Sequence, residues 1–217
     1  MNMIIDTSTK NMLAILQTEK DFIVAPKTEK KHQENLLPSI EKLLLEYKTT
    51  LQKVDNIGVV VGPGSFTGIR LAVATAKAFC YVDRHKKIVA INMLDLLGTV
   101  AMKHSKGKFC VCVKCTSSKM YVGQFDKNGE KVSQFTLLKE DIKKIGDFEK
   151  FFFFDEEFFS FDNFKQLKIT EQDYVDYMSE KVRMKEFVEN EKLEPFYMAL
   201  SQAEEELLKK EKKDDKK

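Results

Sequence analysis

The sequence has almost no excess of either charge and no long hydrophobic run. Lysine plus arginine number 36 and aspartate plus glutamate 34, which leaves a formal net charge of +2 over 217 residues. A balance this close to zero does not indicate a strongly basic face, and charge alone does not support direct binding of nucleic acid. The best candidate for a membrane span is interrupted by Lys77. Because the sequence opens on the strand pattern 3–5 without a basic region or a cleavage site, we expect a cytoplasmic protein with no membrane partner.

Cysteine is scarce, with four residues, and three of them lie close together. The spacing Cys110-x-Cys112-x-x-Cys115 suggests a metal site, but the alternation of cysteine and valine over 110–113 is that of a strand. On a strand, Cys110 and Cys112 share one face and Cys115 faces the other way. No histidine pair completes a tetrahedral set of ligands. We therefore predict reduced, mostly buried cysteines, Cys80 included, and no metal site.

The motifs of hydrolytic enzymes are missing as well. His32-Gln33-Glu34 lacks the second histidine of a zinc-binding helix, and the other two histidines, His85 and His104, are scattered. We interpret each histidine as a surface or capping residue and predict no catalytic residue.

The first hundred residues alternate between strand and helix patterns. Three short strands separated by polar turns are followed by helix, strand, helix, strand and helix. The predicted strands are 3–5, 12–17, 22–25, 57–61 and 88–91, and the predicted helices are 33–47, 66–82 and 92 to about 103. This order predicts an α/β half domain of the ribonuclease-H-like type.

A reduced second subdomain is predicted after it. Strands are predicted at 109–114, 121–125, 131–136 and 151–154, with a hairpin turn at 127–130 and a helix from 171 to about 189. The phenylalanine-rich stretch 148–164 is interpreted as a buried strand plus a loop. The chain is thus divided into an N-terminal subdomain, 1–105, a C-terminal subdomain, 106–200, and a charged tail, 201–217, which is expected to fray past Leu208.

Asp6-Thr7-Ser8 follows the first strand and is the first candidate for chemistry. In ribonuclease-H-like ATPases a turn at this place gives backbone amides and hydroxyls to phosphates, and its aspartate holds a cation through water. A plain hairpin turn explains the same residues equally well.

The glycine loop, 62–68, is the most informative stretch: Gly62-Pro63-Gly64-Ser65-Phe66-Thr67-Gly68. It joins a buried strand to a helix, an arrangement that places a loop over a nucleotide or a partner at the end of an α/β sheet. It is not a Walker motif, since no Lys-Ser or Lys-Thr follows Gly68, and Pro63 removes one amide that a phosphate nest would use. Ser65 is a predicted N-cap, and Arg70 in the first turns of the helix is expected to have an acidic partner. An anion-binding loop and a structural strand–helix elbow are both consistent with these residues.

The second half lacks what an actin-like ATPase needs to complete a nucleotide site. Its glycines, at 107, 123, 129 and 146, are isolated, so no glycine-rich adenosine pocket is predicted. The position at which a second acidic phosphate loop would follow a strand contains Lys114-Cys115-Thr116-Ser117. Asp6 therefore has no predicted counterpart.

Two helices carry more apolar surface than one sheet face covers. The helix 66–82 is apolar over most of its circumference, and Arg70 and Lys77 share one narrow stripe. An exposed apolar surface of that kind indicates an interface. The residues predicted to bind a partner are Leu36, Leu37, Ile40 and Leu44 on the first helix and Ile69, Ala72, Val73, Ala76 and Phe79 on the second.

Several of these stretches together resemble the bacterial TsaB (YeaZ) family. The resemblance lies in Gly62 to Arg70 followed by Val73-Ala74-Thr75-Ala76-Lys77, in Ile5-Asp6-Thr7-Ser8-Thr9, in His32-x-Glu34-Asn35-Leu36-Leu37-Pro38 and in Pro195-Phe196-Tyr197. It covers the first hundred residues closely and the remainder loosely. The family's Asp-Ala-Arg motif is absent and is replaced around 115–119.

The resemblance implies a degenerate member of the actin-like ATPase superfamily. It implies a role in making N6-threonylcarbamoyladenosine at position 37 of tRNAs that read codons beginning with A, as a subunit that does not itself transfer the carbamoyl group. The complex uses ATP, and no cofactor is assigned to this subunit.

The resemblance also implies a set of partners. These are the catalytic paralogue TsaD, bound through the two N-terminal helices, the ATPase TsaE, which joins that pair, and a second copy of the chain when TsaD is absent. Transfer RNA is reached through the complex. From the residues alone, the alternative is an ATPase or kinase that acts by itself through Asp6 and the glycine loop.

Overall fold

The first half of the chain forms one five-stranded sheet with three helices. The computed structural model describes residues 1–25, 32–116, 118–153 and 164–198. The strands are β1 (Asn2–Asp6), β2 (Leu13–Gln17), β3 (Phe22–Val24), β4 (Asn56–Gly62) and β5 (Lys87–Asn92), and the helices are α1 (His32–Glu46), α2 (Phe66–Val82) and α3 (Met93–Met102). Each lies where the sequence predicts it, to within one residue at either end.

The strand order of this sheet is β3-β2-β1-β4-β5. β1 pairs antiparallel with β2 and parallel with β4, which pairs parallel with β5. The continuous apolar run of β4 is explained by helices on both faces. Val59 packs in a cluster with α1 and α2, and Val60 packs in a second cluster with α3.

The second half repeats the same plan. Its strands are β6 (Phe109–Lys114), β7 (Lys119–Phe125), β8 (Lys131–Leu138), β9 (Glu149–Phe153) and β10 (Phe164–Gln166), followed by α4 (Glu171–Arg183). The order β8-β7-β6-β9-β10 again has three antiparallel strands followed by two parallel ones. A short 3₁₀ helix, Lys139–Ile145, joins β8 to β9 where the first half has α1. The repetition confirms the predicted two-part, actin-like α/β fold with a reduced second part.

Helix α4 differs from its prediction in length and in what it contacts. A capping box between Thr170 and Asp173 starts it, and it ends at Arg183 instead of near 189, just before Lys185 adopts a positive φ of 57°. Beyond it, Val188 forms a bridge with Ile88 of β5. Tyr174, Val188 and Phe196 therefore contact the first sheet, although the predicted division groups them with the second subdomain. The predicted boundary between the subdomains stays a prediction.

Three clusters of buried side chains hold these layers together. One lies between the first sheet and the pair α1 and α2, one lies between the two sheets around α3 and α4, and one covers the outer face of the second sheet. Cys110 and Cys112 are buried in the outer cluster, whereas Cys115 packs against the central one. The predicted strand alternation of these cysteines is confirmed, and Cys80 is buried as predicted.

The predictions for the phenylalanine-rich stretch 148–164 and for the charged tail concern residues that the structure describes only in part or not at all. In the phenylalanine-rich stretch Phe151 is buried between the sheets, as predicted for a buried strand, but 154–163 lie outside the described residues. The charged tail 201–217 lies outside them entirely. In the part of the chain that is described, every helix is too short or too polar to cross a membrane.

Candidate functional site

Asp6 lies at the carboxyl end of β1 and is buried beneath α4. Only 1% of the residue is exposed. The amide of Ser8 donates to Oδ1 at 2.7 Å, and the hydroxyl of Tyr174 donates to Oδ2 at 2.6 Å. Both carboxylate oxygens therefore have a protein donor. Tyr174 comes from α4, 168 residues further along the chain, and no local sequence pattern indicated it.

Burial dominates the electrostatics of this pair. It raises the pKa of the Asp6 carboxyl above its ordinary value of 3.8, against the opposing hydrogen bonds from Ser8 and Tyr174 and the charge of His32. Burial also raises the pKa of the Tyr174 hydroxyl well above 10, and the nearby Asp6 carboxylate raises it further. The phenol therefore keeps its proton and acts as the donor.

Replacing Asp6 by asparagine should make stability less dependent on pH. Because burial raises the pKa of Asp6 in the folded chain, its contribution to stability is complete below the unfolded value of 3.8 and is lost as pH rises through the folded pKa. Asp6→Asn has no such loss. As pH rises above about 4, its free energy of unfolding should therefore increase relative to that of the wild type, with each tenfold difference in proton affinity corresponding to about 1.4 kcal/mol. Urea unfolding followed by circular dichroism across pH measures this.

The matched control is Asp147→Asn, because Asp147 is an exposed carboxylate far from this site in sequence. Asparagine at position 6 keeps the shape of the side chain and an acceptor for the Ser8 amide. If the free energy of unfolding of Asp6→Asn instead decreases relative to that of the wild type as pH rises, the folded chain favours the charged carboxylate and the prediction is wrong.

The glycine loop between β4 and α2 packs directly on the Asp6 turn. The Thr7 hydroxyl donates to the carbonyl oxygen of Gly68 at 2.6 Å, and the amide of Ser65 donates to the carbonyl oxygen of Ser8 at 2.7 Å. Ser65 caps α2 as predicted, since its hydroxyl accepts from the amide of Gly68 at 3.3 Å. Thr7 and Ser8 are buried under this contact.

The glycines are what allow the loop to come so close. A Cβ on Gly68 would lie 1.7 Å from the carbonyl oxygen of Thr7, and one on Gly64 would lie 2.6 Å from that of Ser8. Gly62 has a φ of 121°, which residues with side chains rarely adopt. Of the two interpretations of this loop, the packing supports the structural elbow.

In this conformation the turn has no open position for the nucleotide that the fold class binds, although its Ser8 hydroxyl is buried without a hydrogen-bond partner among the described residues. The Thr7 hydroxyl is bonded to Gly68, both Asp6 oxygens have donors, and the glycine loop covers the turn. At the corresponding end of β6 the second sheet has Lys114 instead of a carboxylate. A phosphate or a hydrated cation could reach Asp6 only if Tyr174 moved away and the loop lifted.

Arg70 packs against aromatic rings. Its guanidinium carbon lies 3.9 Å from the centroid of the Phe66 ring, and its Nε donates to the Tyr197 hydroxyl at 2.8 Å. The rings of Phe66 and Tyr197 stack with their centroids 4.6 Å apart. Within the described ranges no carboxylate bonds to Arg70, so the prediction of an acidic partner is wrong there. The negative faces of the rings take the place of that partner.

A C-terminal strap, residues 187–198, crosses the carboxyl end of β4. The amide of Phe196 donates to the carbonyl oxygen of Val61 at 2.8 Å. The Thr136 hydroxyl, on β8, donates to the carbonyl oxygen of Met198 at 3.0 Å. The strap therefore connects the first sheet to the second beside the glycine loop. It contains Pro195-Phe196-Tyr197, one of the motifs on which the resemblance rests.

Most of the predicted partner-binding residues face the core of the chain. Six are buried with the first sheet and cannot meet a partner in this conformation: Leu36, Ile40, Ile69, Ala72, Val73 and Ala76. Leu44 and Phe79 are half-buried, and Leu37 is 58% exposed. The prediction is corrected for the six buried residues, because α1 and α2 direct them into one cluster with the first sheet.

Other residues form the outward face of α2. They recur with the helical period on one side of the helix: Thr67, Arg70, Ala74, Ala78 and Tyr81. The helix contains no aspartate or glutamate. On α1, Leu37 and Leu45 are exposed, which gives both helices an apolar component facing outward.

An open cleft of about 380 Å³ lies between the first turns of α1 and α2. Its lining is His32, Gln33, Ser65, Thr67, Gly68 and Leu71. The Nε2 atom of His32 is 2.8 Å from the carbonyl oxygen of Lys10. Across the described residues, no three His, Cys, Asp or Glu side chains are grouped as metal ligands.

The duplicated strand order, with helices between the two sheets, defines a protein of the actin-like ATPase fold. Comparison with known proteins agrees. The family model described as TsaD, tRNA N6-adenosine threonylcarbamoyltransferase, matches residues 10–171. The tRNA threonylcarbamoyladenosine biosynthesis protein TsaB of Buchnera aphidicola (from Schizaphis graminum) is 30% identical over 151 residues, which are 66% of this chain and 70% of that protein. TsaB of Bacillus subtilis is 29% identical over 129 residues, covering 58% of this chain and 55% of the relative.

A solved structure has the same fold. YeaZ from Pseudomonas aeruginosa aligns with a TM-score of 0.71 at 22% identity over 90% of this chain and 98% of that one. The chain belongs to the TsaB (YeaZ) family.

Proposed function

We propose that this chain is a non-catalytic subunit of the machinery that makes N6-threonylcarbamoyladenosine at position 37 of tRNA. Its relatives from Buchnera and Bacillus are named as biosynthesis proteins of that nucleoside. The proposal that the subunit is non-catalytic is supported by the closed turn at Asp6. Both carboxylate oxygens of Asp6 and the hydroxyl of Thr7 form hydrogen bonds within the chain. The chain would work in the cytoplasm and reach tRNA through the complex.

The proposed partner is the catalytic paralogue TsaD, joined by the ATPase TsaE. The match of a TsaD model to residues 10–171 supports the idea that the two proteins share the helices α1 and α2. Related chains can pair through equivalent surfaces, and a second copy can replace TsaD by the same two-fold arrangement. The docking face proposed here is the outward side of these helices, with Ala74, Ala78 and Tyr81 on α2 and Leu37 and Leu45 on α1.

Reconstitution of the modification tests the proposal. The full chain is purified together with TsaD and TsaE of its own organism and is supplied with ATP, unmodified tRNA and a preactivated threonylcarbamoyl donor, because a transferase needs that group in activated form. Modified adenosine should form only when the chain is present, and the chain alone should hydrolyse neither ATP nor peptides. Full modification without the chain would contradict the proposal.

The Asp6→Asn variant separates this function from the ATPase alternative. If Asp6 only holds α4 on the sheet, the variant should support modification at the rate of the wild type. An ATPase or kinase that used Asp6 for a cation would lose nearly all turnover with asparagine there. Tight ATP binding and turnover by the isolated chain would favour that alternative.

A further inference from the structure

Arg70 is held rigid on a face where most neighbours are small or apolar. It is exposed, one helical turn before Ala74 and on the same side of α2 as Ala78 and Tyr81. Small residues at these positions leave room for a partner helix to approach closely. An arginine at the edge of such a face is suited to an interface, where arginine and tyrosine supply much of the binding energy.

Two aromatic rings and the strap fix the orientation of the guanidinium. The Phe66 ring lies against it at 3.9 Å, and the Tyr197 hydroxyl accepts from Nε at 2.8 Å. Tyr197 is in turn fixed by its stacking on Phe66 and by the bond from Phe196 to Val61 next to it. Arginine normally loses much rotamer freedom when it binds, and here most of that loss has already occurred in the free protein.

The bond to Tyr197 uses Nε and leaves the Nη donors. A guanidinium has five N–H donors in a plane, and its fork matches the two oxygens of a carboxylate. No other acceptor is bonded to Arg70 among the residues that the structure describes. α2 itself contains no acidic residue that could neutralise this charge from within the helix.

We infer that Arg70 is a preorganised carboxylate-binding anchor of the docking face, and that its ligand is an aspartate or glutamate side chain of the protein partner. The inference rests on the proposed function, because it assigns a residue and a chemistry to the surface through which TsaD would bind. It gives the strap a role at that surface, since Tyr197 positions Arg70.

A protein carboxylate fits this site better than an RNA phosphate. Binding to a phosphate backbone requires several cations that neutralise neighbouring phosphates. The second cation of α2, Lys77, is already used, since its Nζ donates to the carbonyl oxygen of Leu193 at 3.0 Å. The remaining neighbours on the face, Ala74 and Tyr81, are suited to protein packing.

The test measures the affinity of the full chain for purified TsaD of the same organism, by titration calorimetry at two salt concentrations. Arg70→Lys keeps the charge but loses the fork, and it should bind about tenfold more weakly. Arg70→Ala should lose about 30-fold or more, and the loss should shrink at high salt. Tyr197→Phe keeps the stacked ring but frees Nε, so it should fall between the wild type and Arg70→Lys.

The control is Arg183→Lys, the same exchange at an exposed arginine on α4 that pairs with Glu180. It should bind like the wild type. Circular dichroism of each variant shows whether it is folded. Arg70→Lys preserves the aliphatic part of the side chain, so it still tests the inference if Arg70→Ala unfolds.

A folded Arg70→Lys that binds within twofold of the wild type overturns the inference but leaves the proposed function standing. A wild type that does not bind TsaD contradicts both, and loss of tRNA affinity with unchanged TsaD binding would identify a phosphate ligand and overturn the inference.

Discussion

Replacing Gly68 by alanine should lower the free energy of unfolding of the chain by about 3 kcal/mol or more. A Cβ at this position would lie 1.7 Å from the carbonyl oxygen of Thr7, well inside the contact distance of two atoms. The obstacle is backbone, so no rotation of a side chain relieves it, and either β1 or α2 must shift. Overpacking alone costs about 1–3 kcal/mol, and a backbone clash of this size should cost at least the upper end. In a chain of this length that lowers the melting temperature by roughly 6–12 °C.

Helix propensity makes this test more demanding, because alanine is better than glycine in a helix by about 1 kcal/mol. If the glycine loop did not contact the Asp6 turn, Gly68→Ala would therefore be expected to increase the free energy of unfolding. The control is Gly107→Ala, where the nearest atom to the new Cβ is a glutamate oxygen at 3.9 Å, so thermal unfolding should match that of the wild type. A Gly68→Ala variant as stable as the wild type would show that the turn and the helix do not touch.

The order of strands and helices was accessible from sequence because it depends on local patterns. The β-branched run of β4 predicts a buried strand, and the glycines directly after it predict a turn, all within about ten residues. In the second half the same patterns predict β6 with its observed bounds and β7 and β8 to within two residues, but they do not predict the short strand β10. The end of α4 was missed, since the sequence continues in a helix-compatible composition past Arg183 while the chain turns to pair Val188 with β5.

The site could be predicted only in part, because its decisive contacts join residues far apart in the chain. The loops at Asp6 and Gly68 were both identified, but their contact spans 61 residues and appears in neither loop alone. Tyr174 reaches Asp6 from a helix in the other half of the chain. For Arg70, the helix dipole predicted an acid nearby, and the structure supplies Tyr197 from 127 residues away.

The direction of the apolar helix faces was the hardest feature to predict. α2 is apolar nearly all round, so periodicity does not distinguish the side that meets the sheet from the side that meets water. Ala72 and Ala76 are buried while Ala74 and Ala78 are exposed, and the four are chemically identical. Only tertiary packing decides between them, and a pair of substitutions can test that decision.

Glutamate at position 76 should unfold the chain, whereas glutamate at position 74 should leave it folded and weaken docking. Ala76 is completely buried among apolar side chains of the first sheet and α1. An unpaired carboxylate there costs several kcal/mol, which is comparable with the total stability of a typical domain, about 5–15 kcal/mol. Ala74 faces outward, where a glutamate stays hydrated and changes stability by less than about 0.5 kcal/mol.

Urea unfolding and pull-down with TsaD measure the two effects on the same pair of variants. Because the substitutions are identical and lie two positions apart on one helix, composition and helix propensity are matched, and only the side of the helix differs. The charge of Ala74→Glu would be desolvated in the complex, so binding should fall by tenfold or more, about 1.4 kcal/mol for each factor of ten. A stable, folded Ala76→Glu would mean that this face of α2 is not covered by the sheet. A folded Ala74→Glu that retains full affinity would place the docking surface on another part of the molecule.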